Sequence, residues 1–252
     1  MDPQQKSTYL KLASATAERA GRLLATAYAS DAGILSSSGK DVKTQADLEA
    51  EAAIMDALRP TGISLLGEET GLHQQDLGDG LRWIIDPLDG TFNFTRGLPA
   101  CCVSIGLWEG LDPILGVIHD FTAGCSYSGI VDEGAWRDDQ PMSVSEFTDP
   151  AQCALATGFP NSRDFSAEAL APFIRRVQGF KKIRLIGSAA LSLAYVATGH
   201  LDAYFEEGIY FWDVAAGLAL VKAAGGQIHF SPPNSNWKMD ARATNGRIPR
   251  DF

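Results

Sequence analysis

Residues 83–95 read WIIDPLDGTFNFT: a stiff apolar run driven into Asp86 and Asp89, with Pro87 between them and Gly90-Thr91 after them. Proline donates no ladder hydrogen bond, so the strand is predicted to end at Ile85-Asp86 and to turn with both carboxylates on its tip. Gly90 lets the backbone bend sharply and approach a ligand. Thr91 offers a hydroxyl at the start of a short helical turn, where free backbone N–H groups favour an anion. The same residues also read as a plain Asp-Pro turn with a capping threonine.

Other acidic residues stand in comparable places. Glu68 and Glu69 end the apolar run of LLGEET, again after a glycine, and Asp213 precedes a helix that Gly225-Gly226 terminates. Asp47 falls in the first turn after Thr44. Asp213 and Asp47 each have an ordinary explanation as a helix-capping or first-turn acid. Together they say more, because strand ends would gather them, and several carboxylates a few ångströms apart cannot all stay ionised unaided. Protons or cations must neutralise them. His73, His119, His200 and His229 are scattered, and Cys101, Cys102, Cys125 and Cys153 show no CxxC spacing. The cysteines therefore read as buried free thiols, and any metal would be a hard ion with oxygen ligands: Mg²⁺, Mn²⁺ or Ca²⁺. Such ions would also turn an acidic pocket electropositive toward phosphate.

The elements that must position these groups follow from periodicity. Residues 4–29 are predicted as a long first helix, followed by a Gly/Ser loop, GILSSSGK, and a second helix from Thr44 to Arg59-Pro60. Strand-like runs fill 101–130; beyond Pro150, strands at CALATGF, IRLIG and LDAYFE alternate with helices at 165–178, 188–198 and 213–224. This is an α/β chain with a layered α+β arrangement, divided into an N-terminal half, 1–148, carrying the acidic motifs, and a C-terminal half, 149–252, completing the site. GILSSSGKD fails the phosphate-loop spacing, and GCSYSG fails the nucleophile-elbow pattern at Ser128. A net charge of −10 with no basic run argues against nucleic-acid and anionic-membrane partners. The first residues lack a signal-peptide pattern and no apolar run is long enough to span a bilayer, so a cytoplasmic location is expected.

GEET, WIIDPLDGTFNF and WDVAAGLALVKAAGG resemble, in order and spacing, the three signature segments of the inositol monophosphatase family, and the resemblance runs from DVKTQADLEAE to ATNGRIP. It implies an αβαβα sandwich of the inositol monophosphatase / fructose-1,6-bisphosphatase type, a homodimer, and lithium-sensitive, Mg²⁺-dependent hydrolysis of phosphate monoesters. Two to three Mg²⁺ ions are implied, with Mn²⁺ as a substitute. Glu68, Asp86 and the Leu88 carbonyl would hold one ion; Asp86, Asp89 and Asp213 would hold a second; a third would touch Glu68. Thr91, coupled to Asp47, would deprotonate the attacking water. Phosphate would lie against Gly90 and Thr91, and Gly187, Ser188, Ala189 and Glu206, with Asp213, would meet the alcohol. Inositol 1-phosphate is the leading substrate, with histidinol phosphate or fructose 1,6-bisphosphate as alternatives; a non-catalytic, metal-stabilised regulatory protein is the reading from another class. The chain has Phe92-Asn93 where nucleotide-specific members carry Lys-Glu. Lys40 and the serines before it leave the surroundings of a third ion open.

Overall fold

The computed structural model describes residues 1–29, 34–38, 41–73, 80–159 and 164–249. In chain order the elements are α1 (Pro3–Ala29), β1 (Ile34–Ser38), β2 (Asp41–Thr44), α2 (Gln45–Leu58), β3 (Ser64–Gly67), β4 (Gly71–His73), β5 (Leu81–Asp89) and α3 (Thr91–Thr95). Next come β6 (Cys102–Glu109), β7 (Asp112–Asp120), β8 (Cys125–Ile130), β9 (Gly134–Arg137) and β10 (Gln140–Met142). The rest are β11 (Ala154–Thr157), α4 (Ala167–Val177), β12 (Lys182–Arg184), α5 (Ala189–Ala197), β13 (Ala203–Tyr210), α6 (Phe211–Ala223), β14 (Gln227–Phe230) and β15 (Lys238–Thr244).

Two sheets carry the architecture. The larger runs β10-β9-β8-β7-β6-β5-β3-β4, antiparallel except where β3 lies parallel to β5. The smaller runs β12-β11-β13-β15-β14, with β11 parallel to both its neighbours and β15 antiparallel to both of its own. Side chains alternate across β5 and β6 as a period of two requires. Trp83, Ile85, Val103, Ile105 and Leu107 pack with α1 and α2, whereas Ile84, Cys102 and Trp108 pack with α5 and α6. α5 and α6 in turn meet Tyr204, Ala241 and Ala243 of the smaller sheet. On that sheet's other face Phe173 and Val177 of α4 cover Leu155, Ala203 and Phe205. The layers are therefore αβαβα.

The seating of α6 matters most for the site. The helix is apolar nearly all round, as one between two sheets must be, and it lies almost directly on backbone. Gly106 and Gly116 pair across β6 and β7. A Cβ at Gly116 would come within 2.2 Å of the Ala216 carbonyl oxygen, and one at Gly106 within 3.1 Å of the Ala216 nitrogen. These two glycines let the first turns of α6, with Asp213, sink toward the end of β5.

Three sequence-based expectations change. The strand does not stop at Pro87: β5 runs on to Asp89, which pairs with Cys102 after an irregularity between Asp86 and Asp89. A proline inside a ladder is accommodated at a bulge, and the chain turns at Gly90 instead. The Gly/Ser stretch is not simply a loop, since Ile34–Ser38 pairs with Asp41–Thr44 as a two-stranded antiparallel sheet; Lys40 lies outside the described residues. The strand expected at IRLIG, residues 183–187, is found at Lys182–Arg184, ending early because Gly187 takes φ +79° and Ser188 is already capping α5.

Candidate active site

The acidic residues are brought together by the parallel pairing of β3 with β5. Gly67 sits opposite Ile85, and the Glu68 N–H donates to the Ile85 carbonyl at 3.2 Å, so Glu68 follows β3 beside Asp86. Asp86 is 1% exposed, and its Oδ1 accepts the Leu88 N–H at 3.0 Å across the bulge. Burial, then the charges of Glu68, Asp89 and Asp213, hold its pKa well above the usual carboxylate range. Asp213 is likewise raised, by burial and then by Glu68, Asp89 and Glu206. It is not the N-cap of α6: the helix begins at Phe211, and Asp213, in the first turn, accepts the Tyr210 N–H at 3.3 Å.

Asp89 joins the two halves of the site. Its carboxylate accepts the Ser188 hydroxyl and the backbone N–H of Ala189 (3.3 Å) and Ala190 (2.8 Å) at the start of α5. Burial raises its pKa to about 6 against those donors. Ser188 caps α5 as expected, donating at the same time to Asp89 and accepting from Leu191 N–H.

Asp47 is both a capping residue and a member of the site. It closes a capping box with Thr44, and its other oxygen accepts the Thr91 hydroxyl at 3.2 Å; that hydroxyl also lies 2.9 Å from the Leu88 carbonyl. Burial lifts Asp47 to about pKa 6, partly offset by its hydrogen bonds from Thr44. Gly90 stands between the two motifs at φ +89°, and a Cβ there would sit 2.6 Å from the Ala100 carbonyl, so only glycine fits the turn.

A cavity of about 380 Å³ opens on this cluster; its lining includes Asp89, Asp213 and Glu206 as well as Phe92, Gly187 and Lys238. Glu206 and Glu207 part company. Glu206 is buried against the cavity with the Tyr204 hydroxyl donating to it at 2.9 Å, while Glu207 pairs with Arg176 at 3.2 Å.

Four contributors were not singled out by sequence reasoning. Glu51, one turn after Asp47 on the same face of α2, accepts the Glu69 N–H (2.9 Å) and the Thr70 hydroxyl (2.5 Å) and so fixes the GEET turn. The i, i+4 spacing of two acids on a helix was its only signal. Asn93 Nδ2 donates to the carbonyls of Ala100 (2.9 Å) and Ile186 (3.1 Å), tying the DGT turn to the approach to α5. Gly158 leaves room for Glu206, since a Cβ there would lie 2.5 Å from its Oε2. Ser104 pairs with Asp86 across β5 and β6, putting both side chains on one face. Its hydroxyl is fully buried with no hydrogen-bond partner.

All these donors are hard oxygens, the set suited to Mg²⁺. Among the described residues no three acidic, histidine or cysteine side chains close into a finished metal cage. The carboxylates are instead neighbours whose negative charges act on one another, and the Ser104 hydroxyl is a spare donor beside them. Such a site fits a divalent ion in charge and in donor type. No cysteine competes for it: all four are buried free thiols.

Fold and site together define a layered α/β protein with an oxygen-lined acidic pocket. The sequence profile of the inositol monophosphatase family matches residues 5–244, and the chain belongs to that family, whose members are phosphoric monoester hydrolases. Inositol monophosphatase 1 of Solanum lycopersicum is 33% identical over 257 residues, covering 97% of this chain and 93% of its own. The Nus factor SuhB of Pasteurella multocida is 35% identical over 228 residues, 87% of this chain and 84% of its own. The structure of an inositol monophosphatase from Anabaena (Nostoc) superposes with a TM-score of 0.82 at 33% identity, covering 96% of this chain and 92% of that one. No helix among the described residues is long and apolar enough to cross a membrane.

Proposed function

We propose that this protein hydrolyses a small phosphate monoester, with inositol 1-phosphate as the leading substrate. Glu68, Asp86, Asp89, Asp213 and the Leu88 carbonyl would hold Mg²⁺, in two to three sites that Mn²⁺ could also fill. The observation that carries this reading is the junction of two systems at one turn: the acidic cluster and the Asp47–Thr91 pair meet at Leu88–Thr91. Bound there, the ions would neutralise the cluster and polarise the phosphoryl oxygens.

The rest of the chemistry falls to the chain's own groups. Thr91 Oγ1 would take a proton from the attacking water while passing its own to Asp47 Oδ1, and an Asp47 pKa of about 6 leaves that carboxylate ionised at neutral pH. The water oxygen attacks phosphorus as the P–O bond to the alcohol breaks; the departing alkoxide takes a proton from solvent while Asp47 returns one to it, so alcohol and inorganic phosphate leave with no phosphoenzyme. The N–H groups of Gly90 and Thr91 would face the phosphate. Gly187, Ser188 and Ala189 would line the alcohol, and Glu206, oriented by Tyr204, would accept one of its hydroxyl protons. The same reading carries a homodimer and inhibition by lithium.

The test is phosphate release by the purified protein with Mg²⁺ from inositol 1-phosphate, histidinol phosphate and fructose 1,6-bisphosphate. The highest kcat/KM should fall on inositol 1-phosphate. No release from any of the three overturns the phosphatase, and a clear preference for another overturns the substrate. On the substrate turned over, kcat/KM should climb as pH rises through about 6, because Asp47 accepts a proton only once ionised. Asp47→Asn should lower kcat by roughly 10²- to 10³-fold and remove that inflection.

Ser104 gives a second check. With a hydroxyl that is unpartnered beside Asp86, Ser104→Ala should leave the melting temperature of the metal-free protein unchanged or higher, yet weaken Mg²⁺ binding in calorimetry by about ten-fold. Unaltered affinity would remove Ser104 from the metal's surroundings.

A further inference from the structure

Asp89 and Asn93 flank the Gly90-Thr91 turn, and both side chains reach the segment that opens α5. They grip it by opposite polarity. Asp89, an acceptor, takes the Ser188 hydroxyl and the N–H groups of Ala189 and Ala190. Asn93, through the hydrogens of its amide, donates to the carbonyls of Ile186 at 3.1 Å and Gly187 at 3.3 Å as well as to that of Ala100 at 2.9 Å. The approach is close enough to need a glycine: a Cβ at Gly187 would lie 3.0 Å from Asn93 Nδ2, and Gly187 takes φ +79°. The Asn93 backbone is pinned as well, its carbonyl accepting the N–H groups of Arg96 at 3.1 Å and Leu98 at 2.9 Å. Ala100 holds φ +73°, a left-handed conformation that alanine rarely adopts, while its carbonyl accepts from Asn93 and closes over Gly90. Strain of this kind persists where the surrounding contacts fix it, and here it serves the Asn93 amide.

Gly187, Ser188 and Ala189 line the cavity, whereas Asn93 is not among the described residues that do. The two grips also differ in what else is asked of them. The Asp89 carboxylate is a proposed ion ligand, and an ion would compete with the α5 donors for its oxygens; a neutral amide has no such rival. We infer that Asn93 is a positioning residue for the alcohol half of the substrate: by holding the Ile186 and Gly187 carbonyls it fixes the Gly187–Ala189 wall against the phosphate turn, and so sets the preference for an ester whose alcohol carries hydroxyl groups. The inference rests on the phosphatase reading above and names a residue that acts through the wall rather than on the reacting atoms. Without the amide, the peptides at Ile186 and Gly187 lose their partner and the wall shifts. Attack at phosphorus, carried by Asp47 and Thr91, keeps its own groups. The probes are inositol 1-phosphate and phenyl phosphate, a six-membered ring with no hydroxyl for the wall to meet.

With saturating Mg²⁺, Asn93→Asp, which keeps the shape but sets an oxygen against three carbonyls, and Asn93→Ala, which removes the donor, should each raise KM for inositol 1-phosphate about ten-fold and lower kcat by no more than about three-fold. Phenyl phosphate should lose much less, so the inositol-to-phenyl ratio of kcat/KM should fall about ten-fold from its wild-type value. Both substrates meet the same folded fraction, so a variant that merely unfolds in part leaves this ratio where it was. A ratio and a KM that neither variant moves, or equal loss of both substrates, overturns the positioning role and leaves Asn93 as a brace of the fold, while the phosphatase stands. Absence of phosphate release by the wild-type protein from either compound is a different failure: the phosphatase reading falls, and the role of Asn93 with it.

Discussion

Asp86→Asn is expected to lower phosphate release by about 10³-fold, a loss of ~4 kcal/mol in transition-state stabilisation, while making the metal-free protein more heat-stable at pH 8. The two effects have one cause. Asp86 is fully enclosed, and its ionised form is opposed by burial and by Glu68, Asp89 and Asp213. An asparagine keeps an oxygen for the Leu88 N–H and offers Glu68 a donor, so the shape of the bulge survives and one buried negative charge goes. Stability gained where activity is lost is the signature of a functional rather than a structural acid. A variant that keeps its activity, or that melts lower than wild type at pH 8 without metal, would show that this carboxylate holds the fold instead of an ion.

The second large effect is a linkage between metal and pH. Asp47 and Asp89 ionise near 3.8 when unfolded and near 6 when folded; Asp86 and Asp213 are also raised well above the ordinary carboxylate range. For an acid with a raised folded pKa, the folded state binds more protons than the unfolded state across that window, so stability falls as pH climbs through it. The melting temperature of the metal-free protein should therefore drop between about pH 4 and pH 6, through Asp47 and Asp89, and Asp86 and Asp213, whose pKa values are raised as well, act in the same direction. Mg²⁺ should reverse the loss. At roughly 100 times its Kd it contributes ~2.7 kcal/mol, which for a chain of this size is about 5–10 °C, and more at pH 8 than at pH 5 because protons no longer compete for the carboxylates. Melting curves at the two pH values with and without Mg²⁺ decide it. An equal shift at both, or no shift, would disconnect the acidic cluster from divalent ions.

Much of this site was legible because its parts are local. The capping box at Thr44 and Asp47 and the cap at Ser188 are each set by neighbours within four residues, and each formed where its residue types require. The bulge at Pro87 was missed because a proline alone does not say whether a strand stops or merely skips a pairing; that depends on Cys102 waiting across the ladder for Asp89. Glu206 could not be told from Glu207 in sequence, since adjacent strand residues differ only in the face they take. Gly158 on one face and Arg176 beside the other made the choice.

The sequence by itself determined the alternation of elements, the carboxylate inventory with no histidine or thiol to rival it, and the family. Those depend on residue type and short-range geometry. Only the tertiary structure decided that Asp213 arrives beside Asp86 on the backs of two paired glycines, that Ser104 faces the acidic cluster, and that Lys238 lines the same cavity. Each is a meeting of residues distant in the chain, and such meetings are fixed by how closely layers can pack, a property that no single segment carries.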